Sequence, residues 1–155
     1  MNIFVLDQDP KIAAHYHCDK HVVKMILESA QMMCTTVRLT TGLNVGYKIA
    51  FKNHPCTKWV RRCICNYYWL MNLIEALNDE YKYRFNHKEN HKSLNVVKEL
   101  PPPILPVNGC TTSFAQAMPD KFKRENAVEA YREYYREDKA HLLNYRKTKR
   151  PWWLC

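Results

Sequence analysis

"CDKHVVKMILESAQ", residues 18–31, decides how the rest of the chain is read. Taken as a helix from Asp19, it gathers Val22, Val23, Ile26, Leu27, Ala30 and then Met33, Cys34 and Val37 on one apolar side at the 3.6-residue period. His21, Lys24, Glu28 and Gln31 then fall at i, i+3, i+7 and i+10 along one polar stripe, with Lys20 beside it. A cation lowers the pKa of a neighbouring carboxylate, and a carboxylate raises that of a histidine. Such mixing serves acid–base chemistry or a phosphate clamp, although an ordinary ion-pair ladder has the same composition.

The same periodicity organises the rest. "NIFVL" (2–6) is a short extended apolar start, and Asp9 followed by Pro10 marks a helix start. That helix is short, because Asp19 caps the next one, which runs to about Leu39. After a loop closed by "NHP" (53–55), residues 56–85 read as one continuous helix with Val60, Cys63, Ile64, Tyr67, Leu70, Met71, Ile74, Leu77 and Tyr81 on its core face. Ser93 is placed to cap a short helix over 94–100, and "PPPILP" (101–106) reads as a polyproline II strap. Asn126 with Glu129 opens a last helix that presents Ala130, Tyr131, Tyr134, Tyr135, Leu142 and Tyr145. The expected fold is an all-α, compact single-domain helical bundle over residues 1–155, with a short extended N-terminal segment and a basic aromatic tail at about 146–155.

Composition supports this. Only 3 glycines in 155 residues argue against a hairpin-rich β fold and against Rossmann or P-loop phosphate sites. The net charge of +9 suggests an anionic partner, nucleic acid first, with positive charge concentrated in "KWVRR" (58–62) and "YRKTKRPWW" (145–153). Seven cysteines form no paired framework, and with no leader segment they suggest an intracellular, reducing compartment. No apolar run approaches the ~18 residues of a membrane span, so a soluble protein with no membrane partner is expected.

"HYHCDKH" (15–21) is rich in ligand types, but zinc sites pair spaced ligands, and this crowding at a helix junction gives no metal site. No cysteine stands out as an activated nucleophile beside His21 or His54. In "KNHPCTKWVRR" (52–62), Asn53 and His54 precede the helix start at Pro55 and can face an anion, Trp59 can stack on a base, and Arg61 or Arg62 can take a phosphate. Equally, Asn53 and His54 merely cap the helix and Trp59 is core. The tail reads either as an arm contacting nucleic acid or as a basic end whose tryptophans fold back on the core.

Together, "MNIF" (1–4), "CDKHVVKMILESAQ", "NHPCTKWV" (53–60) and the following helix resemble the pyrimidine dimer DNA glycosylase family, the endonuclease V-like proteins of phage and bacteria, and within it an uncharacterised phage and bacterial branch. The likeness covers about the first half of the chain. It implies an all-α fold and a glycosylase with linked lyase activity, in which an N-terminal α-amine attacks C1′ and a carboxylate on the second helix assists. It also implies basic residues holding bent DNA with a base flipped out. Two departures stand out. Residue 2 is Asn, which leaves Met1 and its amine in place, and aligning the second helices by their basic residues sets the family's carboxylate position at or near His21, with Glu28 the nearest acid, two turns along. The expectation is a base-excision enzyme acting on a damaged or modified pyrimidine in DNA, monomeric and without cofactor. Met1, His21, Lys24 and Glu28 are its candidate catalytic residues, and Asn2, Lys20, Gln31, Asn53, His54, Trp59, Arg61 and Arg62 its candidate binding residues. The alternatives are a non-catalytic nucleic-acid or nucleotide-binding module, or a nucleotide- or base-modifying enzyme using His21 and Glu28 as acid and base.

Overall fold

The computed structural model describes residues 1–155. It is all-helical: α1 (Pro10–Tyr16), α2 (Asp19–Thr41), α3 (Pro55–Val60), α4 (Ile64–Phe85), α5 (Lys92–Lys98) and α6 (Ala127–Glu137), with single 3₁₀ turns at Asp120–Phe122, Ala140–Leu142 and Trp152–Leu154. Helices α2 and α4 form the centre: α1 packs on α4, and α3 and α5 pack on α2. Residues 3–6 are buried and lie outside any helix, with the Leu6 amide turning back to Phe4 O, and one apolar cluster joins them to Ile26 and Met33 of α2, Leu70 and Ile74 of α4, Tyr131 of α6 and Trp153 of the tail. No helix is long and apolar enough to cross a membrane.

The start of α1 is built as its sequence indicates, with the Asp9 carboxylate accepting from the Lys11 amide and Pro10 opening the helix. Asn126 likewise caps α6 by accepting from the Val128 and Glu129 amides. Several expected boundaries differ. Asp19 does not cap α2; Cys18 holds the cap position, and the Asp19 carboxylate accepts from the Arg146 amide and from the buried Arg84. The expected continuous helix over 56–85 breaks at residues 61–63. The Ile64 amide donates to Pro106 O of the proline strap, and the Asn66 side chain donates to Trp59 O and Thr112 Oγ1, so both broken ends find partners elsewhere in the chain. His91 rather than Ser93 caps α5, its Nδ1 accepting from the Ser93 amide. The last helix ends at Glu137, which leaves Leu142 on a separate turn and Tyr145 outside any helix.

Arg84 clamps the α1–α2 junction. Its side chain is fully buried and donates to Glu80, Asp19, His15 O and His17 O. Four acceptors around one guanidinium meet the condition under which a buried cation is tolerated. This junction fixes where α2 starts and therefore the depth at which its polar stripe meets the N-terminus.

Candidate active site

The N-terminus lies against the middle of α2. The Met1 α-amino nitrogen lies 3.5 Å from Glu28 Oε2, and the Asn2 amide donates to the same oxygen at 3.0 Å. The other carboxylate oxygen, Oε1, faces Lys24 Nζ at 3.6 Å, one helical turn back. The Met1 side chain is 3% exposed and that of Glu28 12%, whereas Lys24 reaches solvent at 56%. The pair therefore sits at the boundary between core and surface. Gln31, half-buried, continues the stripe one turn further.

Asn2 anchors the amine from below. Its Nδ2 donates to Ala117 O at 2.9 Å, and its Oδ1 accepts from the Ile3 amide, the Tyr131 hydroxyl at 3.1 Å and the Cys56 thiol. Tyr131 OH also donates to Ala115 O at 2.7 Å and accepts from the Ala117 amide, so its one proton is shared between two acceptors. Burial holds this hydroxyl well above the usual tyrosine range and pushes the Cys56 thiol up to about 11, so both stay neutral donors. Asn2 is 8% exposed; it holds the N-terminus rather than offering a side chain to a ligand.

His54 stands beside the pair. Burial lowers its pKa first, the N-terminal ammonium lowers it further, and Glu28 partly opposes both. Its Nδ1 accepts from the Cys56 amide, so in the neutral ring the proton lies on Nε2, an uncharged donor. Asn53 is exposed next to it and, with Lys58, Trp59, Arg62 and Ser113, lines a cleft of about 280 Å³. Arg61 is half-buried, and one of its guanidinium nitrogens has no protein partner. Lys20 is exposed two turns N-terminal to Glu28, at a separate cleft of about 600 Å³ that it shares with Phe85, His141 and Arg146.

Two expected site residues lie elsewhere. His21 is 4% exposed and stacks on Phe4 at 4.4 Å, with Nδ1 2.6 Å from the Tyr135 hydroxyl. Burial, with help from the nearby cations, lowers its pKa to about 3. It is a neutral core histidine, because Phe4 of the N-terminal segment and Tyr135 of α6 cover it at the first turn of α2. Trp59 is 5% exposed, stacked on Phe114 at 5.2 Å and edge-on to Trp69, with its N–H donated to Thr112 O. It has no face free for a base. The tail also folds back: Trp153 is buried against Tyr16 and Arg132, leaving Trp152 exposed.

Sequence reasoning missed Ala117 and Tyr131. Tyr131 shows in the sequence only as an apolar-face aromatic, with nothing to mark its hydroxyl as a partner of residue 2. The arrangement can do one kind of chemistry well: a primary amine, held against a carboxylate that can take and return its proton, with cations at the rim. The family model for pyrimidine dimer DNA glycosylases matches residues 1–93, which contain the amine, Glu28 and His54. Comparisons with curated proteins and with solved structures give no match.

Proposed function

The chain belongs to the pyrimidine dimer DNA glycosylase family, and from that premise we propose that it excises a damaged or modified pyrimidine from DNA and cleaves the strand through an imine formed by the Met1 amine. The observation that carries this reading is the 3.5 Å approach of that amine to Glu28 Oε2. The neutral amine attacks C1′, and the glycosidic bond pair leaves with the base, which takes a proton from solvent. One amine proton passes to Glu28 and on to O4′ as the sugar ring opens, leaving an iminium at C1′. The Glu28 carboxylate then removes a C2′ proton, and the 3′ phosphate leaves with its bonding pair. Water hydrolyses the imine and frees the amine.

Lys24 balances Glu28 and, with Lys20, Lys58 and Arg62, neutralises phosphates. Asn53 and the His54 Nε2–H donate to the backbone of the extruded nucleotide. The enzyme acts as a monomer in a reducing compartment, a setting supported by seven free thiols.

Borohydride on a duplex carrying an abasic site tests the reading. One covalent adduct per chain is expected, lost when the N-terminal amine is acetylated. Salt-sensitive binding without any adduct would instead identify a non-catalytic binding module.

A further inference from the structure

Phe51 is at odds with its surroundings. Its ring is 67% exposed, and its backbone is left-handed at φ 46°, a conformation unfavourable for a bulky residue that is not glycine. Two other non-glycine residues have positive φ, and both are polar: Asn86 ends α4, and Lys147 bonds Tyr83 O and the Asn86 side chain. Phe51 alone combines a strained backbone with an apolar side chain left in water. No packing in the fold offsets either cost.

The strain is held in place from both sides. The Ala50 amide donates to Thr35 Oγ1 at 3.1 Å, and that hydroxyl lies 3.4 Å from Ala50 O. On the other side, the His54 amide donates to Phe51 O at 2.9 Å. Thr35 is fully buried in α2 and falls on the same stripe as Glu28 and Gln31, at i+7 and i+4. At the helical rise, it stands about 10 Å along the axis from Glu28, a reach of roughly three base steps. The ring is thus a rigid projection, mounted between the helix that carries Glu28 and the histidine that stands beside it. Lys48, Lys52 and Lys58 lie within seven positions of it in the chain and are all exposed, so the segment that carries the ring is cationic.

We propose that Phe51 is an unstacking wedge, which enters the base stack of duplex DNA beside the target nucleotide and holds open the gap left when that nucleotide is extruded. The proposal rests on the reading of Met1 and Glu28 given above and adds to it the group that opens the duplex. An apolar ring between base steps unstacks and kinks a duplex, and a base must leave the stack before C1′ can be attacked. Strained residues persist where the surrounding structure over-determines them, and they cluster at functional sites. The exposed lysines of the same segment fit the phosphates on either side of an opened step, and a single protruding ring fits a gap between bases.

The experiment compares wild type, Phe51→Ala and Phe51→Leu on two abasic-site substrates of identical sequence, one duplex and one single-stranded, each with 2-aminopurine next to the abasic site. Stacking on an aromatic ring is worth about 1–3 kcal/mol per base, so Phe51→Ala should slow borohydride trapping on the duplex about 10- to 100-fold. It should leave trapping on the single strand unchanged, because nothing there needs unstacking. Phe51→Leu, apolar but without a stacking face, should fall between. The 2-aminopurine fluorescence should rise when wild type binds the duplex and should not rise with Phe51→Ala. Equal slowing on both substrates, or none on the duplex, overturns the wedge. If wild type traps neither substrate but still raises the fluorescence in a Phe51-dependent way, the wedge stands and the imine reading falls. If fluorescence does not depend on Phe51, the wedge falls, whatever the trapping shows.

Discussion

Glu28→Gln separates a site from an ordinary ion-pair ladder. The substitution keeps the volume and keeps an oxygen to accept the Asn2 amide at 3.0 Å, but it removes the charge facing Met1 N at 3.5 Å and Lys24 Nζ at 3.6 Å. At an effective dielectric near 20, a charge pair at 3.5 Å attracts by about 5 kcal/mol before desolvation is subtracted. The Lys24 side of the pair, more than half exposed, is worth under about 1 kcal/mol. Loss of a hydrogen bond to a charged group costs about 1.5–3 kcal/mol, against about 5–15 kcal/mol for a whole domain, so the variant stays folded. Its chemistry should suffer far more, because a positioned acid–base group contributes about 10²- to 10⁴-fold. Single-turnover strand cleavage of an abasic duplex should therefore fall at least about 100-fold, while Kd from fluorescence anisotropy holds steady or tightens slightly as a negative charge leaves the DNA face. Cleavage within about threefold of wild type, with a normal circular dichroism spectrum, would reduce Glu28 to a structural partner of the N-terminus.

Three further outcomes follow from the same geometry. Tyr131→Phe removes the hydroxyl that steadies Asn2 and the 115–117 segment; since a misplacement near 1 Å can cost about 10²-fold, single-turnover rate should drop about 10-fold or more with Kd unchanged, and a matching rise in Kd would argue for a general structural role. Burial lowers His17 to about 4 and His21 to about 3, so both are neutral in the folded chain; the unfolded chain takes up protons below about 6.5, and stability should fall between pH 6.5 and 4, by about 3 kcal/mol for His17 alone. A Tm unchanged from pH 7 to 4.5 would contradict that. Arg84→Met strands Asp19 and Glu80 without their buried cation, which should cost about 3–5 kcal/mol and lower Tm by about 10 °C in calorimetry.

What the sequence makes legible is what local chemistry controls. Asp9 with Pro10 and the Asn126 cap are short-range signals, and each forms where it is expected; the apolar period of α2 puts Val22, Ile26, Ala30, Met33, Cys34 and Val37 in the core, but Leu27, expected on the same side, is 40% exposed and Val23 only half-buried. The break at residues 61–63 is not local. It depends on Pro106 and Thr112 arriving from 40 or more positions away to satisfy the Ile64 amide and Asn66, and α4's periodicity continues through the break without a mark. The same distinction divides the site. A helical repeat shows that His21, Lys24 and Glu28 share a stripe, but not that residues 3–6 and α6 cover its first turn. Aligning basic residues led to His21 as the position of the carboxylate, whereas the fold brings Glu28 to the amine and turns His21 into core. Trp59 and Trp153 show the same ambiguity: an aromatic beside cations looks alike in sequence whether it stacks on a base or on Phe114.

The matched family segment ends at residue 93, yet the amine it contains is positioned by residues beyond it. Segment 2–6 belongs to no sheet, so its polar groups take partners one at a time: Glu28 for the Asn2 amide, Cys56, Ala117 and Tyr131 for the Asn2 side chain, Arg132 for the Leu6 carbonyl. Of these, Glu28 and Cys56 lie within the matched residues, and Ala117, Tyr131 and Arg132 lie beyond them. An unpaired extended segment has no ladder to fix its register, and sliding by one residue would exchange Asn2 for Met1 or Ile3 in a pocket built around an amide. The C-terminal third therefore sets the register of the N-terminus, and with it the distance from amine to carboxylate. Chemistry that depends on 3.5 Å between two groups 27 residues apart is decided by contacts that span more than 100 residues.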